Sequence, residues 1–245
     1  RDRHERKPKL LLPLMMQLIF NSICLTFYSL APGNTLRNAS ETQTWYPEFN
    51  KLSLMQKIIQ GINWTHHHLV RENTYVMLTL SIFLFLLALP KLKKRFFKGL
   101  AFVPCLYFIG SLLPLNQIVA RATSYEYNFD VQAIADQLLF NPMQGILPAV
   151  ISLTILCIIG LLLSIVLGKH TTCFVGILFY LAALAAGYIL GLSPTIFASG
   201  PRIFFITDIL LVLINGLLFI LLIKKPITHS LTAKISYLIY IILGL

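Results

Sequence analysis

Lysine and arginine collect at every second break between long apolar runs, and this alternation constrains the fold more than any motif in the chain. The runs lie at about 10–30, 75–90, 99–119, 146–168, 172–192 and 203–223, with a last one at 230–245. Most approach the roughly 20 residues that carry a helix across a bilayer core about 30 Å thick. The second is shorter, and it either begins earlier or tilts little. Five basic residues sit in the tail (Arg1, Arg3, Arg6, Lys7, Lys9) and five in the second connection (Lys91, Lys93, Lys94, Arg95, Lys98). With Lys169 and with Lys224, Lys225 and Lys234, these segments hold 14 of the 20 basic residues. Short loops kept in the cytoplasm collect Lys and Arg, so the tail and the even-numbered loops are expected there. The expected fold class is all-α: a polytopic transmembrane helical bundle of about seven spans, N-terminus cytoplasmic, in the plasma membrane.

Composition agrees. With 57% hydrophobic and 12% charged residues and a mean hydropathy of +0.77, the chain is too apolar for a soluble domain of its length. Continuous apolar runs favour helices over a barrel, whose strands alternate in short segments. The net charge of +11 lies mostly beside the spans, where it sets topology and meets anionic headgroups. No basic groove with interleaved aromatics is readable, so nucleic acid is not an expected partner. Cys24, Cys105, Cys157 and Cys173 fall in or beside apolar runs and read as packing residues. The first residue is Arg and the last run stops short, so the sequence reads as one transmembrane domain cut from a longer chain.

Three external loops follow from this topology, at about 31–74, 120–145 and 193–202. Six of the nine acidic residues (Glu41, Glu48, Glu72, Glu126, Asp130, Asp136) lie in the first two, which places any chemistry on the external face. In the first loop, Leu54, Ile58, Ile59 and Ile62 share a helical face near Lys51 and Lys57, as in a helix lying at the interface. Pro32-Gly33-Asn34 has turn chemistry and would hold Arg37 at the membrane surface, where a guanidinium suits bidentate phosphate recognition. The plainer alternative is a turn with an Arg meeting lipid phosphates. In SPTIFASGPR (193–202), Pro194, Gly200 and Pro201 forbid one continuous helix. Ser193, Thr195 and Ser199 offer hydroxyls, and Arg202 stands at the start of the next span, where free amides also favour an anion.

Asp208 is the one acid inside a span, and such a group marks a functional or structural polar contact. Asn215 shares its face, whereas Arg202 sits about 120° around the helix. A partner on another helix is therefore expected, and Gln17 and Asn21 of the first span are candidates. His66, His67 and His68 cannot share one helical face and lack zinc spacing, so no metal is expected. A single one of them, His67 by choice, suits phosphate contact or acid–base work. Glu126, flanked by Tyr125 and Tyr127, and Asp130 are candidate catalytic carboxylates, with Asp136 a further candidate base. No cofactor motif appears.

LAPGNTLRNAS after one span and GLSPTIFASGPRIFF before a later one resemble segments of a group of bacterial multi-span proteins. That group carries APGN-x-x-R on an external loop and a Ser/Pro-rich turn ending in Arg. The matching residues are Ala31, Pro32, Gly33, Asn34 and Arg37, then Ser193, Pro194, Ser199 and Arg202. The group looks distantly related to GT-C-type glycosyltransferases, which take sugars from polyprenyl-phosphate carriers on the outer membrane face. The resemblance implies partners beyond the lipid bilayer, namely a polyprenyl-phosphate-linked sugar and a glycan acceptor in the cell envelope. It implies that Asn34, Arg37, Ser193, Ser199 and Arg202 hold the lipid phosphate, with the main catalytic carboxylate upstream of this segment. The rival expectations are a transporter or flippase with a polar path around Asp208, Asn215, Gln17 and Asn21, and a non-catalytic membrane scaffold.

Overall fold

A backbone surrounded by hydrocarbon must close its own hydrogen bonds, and long apolar runs do so as helices. The computed structural model describes residues 32–112, 142–168, 171–194, 196–197 and 200–224, with Ile19, Ile23, Thr26, Asp136, Leu139 and Phe140. These residues are almost entirely helical, with no strand among them. Helix α1 is Pro32–Trp45, a 3-10 turn follows at Pro47–Lys51, and α2 is Leu54–Arg71. Next come α3 (Thr74–Ala88), α4 (Arg95–Leu112), α5 (Pro142–Leu167) and α6 (Thr171–Tyr188), which tightens into a 3-10 turn at Ile189–Leu192. A last 3-10 turn at Gly200–Phe204 leads into α7, Phe205–Lys224.

Among the described residues four helical stretches are long and apolar enough to cross a membrane: Arg95–Leu112, Ile146–Leu167, Cys173–Leu192 and Arg202–Ile223. Helices α2 and α3 meet at 84° and make a fifth if the bent pair counts as one span. The expected runs at 75–90, 99–119, 146–168, 172–192 and 203–223 thus correspond to α3 through α7. Those at 10–30 and 230–245 fall outside the described residues, apart from Ile19, Ile23 and Thr26.

Two segments differ from their sequence reading. Pro32-Gly33-Asn34 does not form a turn but opens α1, because proline fits the first helical position, where no N–H partner is required. The stretch read as an interfacial helix ending near residue 62 continues to Arg71 and enters the bundle. It starts at a capping box, in which Gln56 N–H donates to Ser53 Oγ (3.3 Å) and Ser53 N–H to Gln56 Oε1 (2.8 Å). Its six residues Gln60 to Thr65 are all buried. Close approach makes this possible. A Cβ on Gly61 would collide with the Tyr188 carbonyl, one on Gly187 with the Thr65 side chain, and one on Gly191 with the Lys57 carbonyl. Small residues at such crossings let helix backbones touch.

Helix α3 runs through the centre, with Met77, Leu80, Leu84, Leu87 and Ala88 buried against Ile159 and Leu163 of α5 and Leu211, Ile214 and Leu218 of α7. Polar side chains pin the helices to one another. Tyr180 donates to the Leu156 carbonyl (2.7 Å), Thr207 to that of Ala183 (2.9 Å) and Asn215 Nδ2 to that of Val76 (3.2 Å). The outer surface is as apolar as the interior: Leu147, Leu161, Phe174, Leu181, Ile206, Val212 and Ile220 are all exposed. Polar groups inside and apolar groups outside are the arrangement lipid demands.

The bundle has two unlike ends. At one, Lys91 Nζ donates to the Ile165 and Val166 carbonyls (2.8 and 2.7 Å), capping α5 beside Lys93, Lys94, Arg95 and Lys98. At the other, the elbow between α2 and α3 meets the first turn of α7 through Asn73 and Asp208.

Candidate functional site

The elbow builds this second end. Helix α2 stops because the N–H groups of Glu72 and Asn73 both turn back to the His68 carbonyl (3.0 Å each), and α3 restarts with Met77 N–H on the Asn73 carbonyl (3.1 Å). The chain therefore presents His68, Glu72 and Asn73 together. His68 lies one turn before Glu72, and its Nδ1 is 2.8 Å from Glu72 Oε2. Its Nε2 is 2.8 Å from Asp208 Oδ1 on α7. Asn73 Nδ2 also donates to Asp208 Oδ1 and lies 3.1 Å from His68 Nε2. The imidazole stacks on Phe204, centroids 4.1 Å apart.

Burial is graded across this cluster. The His68 side chain is 5% exposed, Glu72 34% and Asp208 33%. Among the described residues no hydrogen bond or ion pair reaches Asp208 Oδ2 or Glu72 Oε1. A buried ring thus bridges two carboxylates that are each about a third exposed.

The three histidines point three ways, as steps of about 100° require. His66 Nε2 is 2.7 Å from the Tyr107 hydroxyl of α4. His67 stacks on Trp64 at 5.1 Å, and His68 alone joins the carboxylates. Among the described residues no group of His, Cys, Asp and Glu is arranged to hold a metal.

A second cluster lies nearby in the chain's path. Tyr46 donates to Asp136 Oδ1 (2.7 Å) and stacks on Phe197 (4.7 Å), with Phe49 edge-on to the same ring. Burial first, and then the Asp136 carboxylate, push the Tyr46 phenol well above its ordinary pKa, so it remains a donor. Phe197 also packs with Trp64, Ile196 and Phe204, so the connection 193–204 touches Tyr46 at one end and His68 at the other. All three expected external loops contribute to this region: Tyr46 from the first, Asp136 from the second, Phe197 from the third.

Of the residues singled out in the sequence, Asp208 and His68 meet at the centre, and among the described residues the hydrogen-bond partners of Asp208 are His68 and Asn73. No ion pair joins it to Arg202 among the described residues, and Arg202 is exposed. Asn215 donates to Val76 and Leu211 carbonyls, one face with Asp208 but deeper in the bundle. Arg37 pairs with Glu41 on α1 (2.7 Å), and Asn34 lies in the first turn of that helix. Ser193 is half-buried, its N–H on the Leu190 carbonyl. Glu126, Asp130, Ser199, Gln17 and Asn21 lie outside the described residues. Glu72, Asn73, Tyr46 and Tyr107 were not singled out; the spacing of His68 and Glu72 by four residues was the available signal.

No protein-family model, no curated protein and no solved structure matches the chain.

Proposed function

We propose that this is a glycosyltransferase-like integral membrane protein that takes a sugar from a polyprenyl-phosphate carrier and passes it to a cell-envelope glycan. One observation carries the reading: segments from three separate loops gather at the end of the bundle opposite the lysine cluster, beside the carboxylates around His68. Under the positive-inside rule that end faces outward, in a plasma-membrane protein of seven spans whose tail is cytoplasmic. Arg202, exposed at the N-terminus of α7, and Arg37 supply positive charge for the departing phosphate. The resemblance of the segments around Arg37 and Arg202 to GT-C-like proteins supports the same assignment.

The test is sugar transfer from an undecaprenyl-phosphate-linked donor by the full chain in vesicles. Removing one cation from a transition-state site costs on the order of 10²–10³ in turnover. We expect Arg202→Ala to lose that much, with Arg37→Ala adding to it. Unchanged transfer in the double variant overturns the phosphate role. A wild-type chain that neither binds undecaprenyl phosphate nor transfers sugar overturns the reading altogether.

A second reading is passage of a polar solute. Its support is the break of 84° between α2 and α3 together with the buried Gln60, Asn63, Thr65 and His68. Transporters use broken helices and buried polar groups in this way. Solute counterflow that survives loss of both arginines but not of Asp208 would favour it.

A further inference from the structure

We propose that Asp208 is the base that deprotonates the acceptor, with His68, Glu72 and Asn73 as the residues that position it. This rests on the transferase reading above and assigns the base within the described residues, where the resemblance implied one upstream.

The argument is one of donors and acceptors. Asn73 Nδ2 can only donate, and it donates to Asp208 Oδ1. His68 Nε2 faces that same oxygen at 2.8 Å while Nδ1 faces Glu72 at 2.8 Å. Each ring nitrogen thus faces a carboxylate oxygen, and Nε2 also lies 3.1 Å from Asn73 Nδ2. Oδ1 of Asp208 is therefore engaged by the Asn73 amide and by the His68 ring. Oδ2 has no hydrogen bond or ion pair among the described residues, and the side chain is a third exposed. The carboxylate is thus fixed at one oxygen and open at the other, as a general base requires.

The step balances. The acceptor O–H bond breaks and its proton goes to Asp208 Oδ2. The acceptor oxygen forms the new bond to the anomeric carbon. The bond from that carbon to the carrier phosphate breaks, and its electron pair leaves with the phosphate. The proton on Oδ2 then returns to water through the exposed side of the site. Glu72 holds His68 Nδ1, and Phe204 stacked at 4.1 Å fixes the ring plane.

The experiment uses the full chain in vesicles with an undecaprenyl-phosphate-linked sugar. Asp208→Asn keeps the shape and the Oδ1 contacts while removing the base. The expected result is a loss on the order of 10³-fold in turnover, with undecaprenyl-phosphate binding retained. Asp208→Ala leaves room for a small carboxylate, and added formate should restore part of its turnover, which no merely structural role would allow. His68→Gln should lower kcat by about 10–100-fold with little change in KM, an intermediate cost set against that of losing the base itself. Turnover retained in Asp208→Asn overturns the assignment and leaves the transferase reading standing. So does loss of donor binding together with lost turnover and no formate rescue, because Asp208 would then be structural. A wild-type chain inert to the donor overturns the transferase reading itself.

Discussion

Helices α2 and α7 touch at His68 and Asp208, yet they solve opposite problems. Helix α7 buries Thr207, Leu211, Ile214 and Leu218 and turns Ile206, Ile209, Val212, Leu213 and Ile220 outward, so both of its faces are largely apolar. Helix α2 hides Gln60, Asn63, Thr65 and His68 inside the bundle and keeps Leu54, Met55 and Ile58 exposed near its start. In lipid the solvent is as apolar as the core, so hydrophobicity does not say which side of α7 packs inward. A polar helix is different. It must be enclosed by other helices or reach water, and α2 is enclosed from Gln60 to Thr65. Hydropathy therefore recognises α7, while only contact geometry shows that α2 is enclosed.

The largest effect should come from changing the solvent-facing side of α7. Val212 is 54% exposed near the middle of the helix. A lysine at the centre of a spanning segment costs roughly 2.5–3.5 kcal/mol on insertion scales. We expect Val212→Lys to cut membrane insertion of the α7 segment sharply in a translocation assay with glycosylation reporters. Efficient insertion of the variant would mean that this face meets water or protein, and the contrast between the two helices would collapse.

The next effect lies on α2. Gly61 packs against the backbone at Tyr188 and Gly191, so an added methyl meets main chain, which cannot swing aside as a side-chain tip can. Overpacking of this sort costs about 1–3 kcal/mol. Gly61→Ala should lower the thermal unfolding midpoint by several degrees in nanodiscs. An unchanged midpoint would place α2 away from α6, at the interface position its amphipathic start suggested.

That contrast also explains what the sequence revealed. Helices α3 to α7 were legible because a long apolar run has few other fates in a bilayer. The inward course of α2 was not, since residues 63–68 look like loop when water is the reference. The fit depends on Gly61 meeting Gly191 and Thr65 meeting Gly187, pairs far apart in the chain. The site was half legible. An acid inside a span announces Asp208, and its failure to face Arg202 follows from helical angles. Which helix supplies the partner does not follow, because spacing fixes faces within a helix and not neighbours between helices. Spacing offered Gln17 and Asn21, which lie outside the described residues; among the described residues packing brings His68 and Asn73 to Asp208. Arg37 was read in a turn from Pro-Gly-Asn chemistry; once Pro32 starts a helix, its pairing with Glu41 follows from the interval of four.

The smallest effect is a further test of the outer face of α7. Gly216 lies four residues after Val212, and nothing lies within 4 Å of where its Cβ would stand. In helices glycine is about 0.8–1.0 kcal/mol less favourable than alanine, so Gly216→Ala should leave the midpoint unchanged or raise it slightly. The same substitution thus has opposite signs on the two helices: a loss where the glycine lets backbones touch, a small gain where it faces lipid. If Gly216→Ala instead lowers stability, with a shift in mass on size-exclusion light scattering, a helix from another chain packs at this glycine. The outer face of α7 would then be an interface, and its apolar side chains would be explained by protein as well as by lipid.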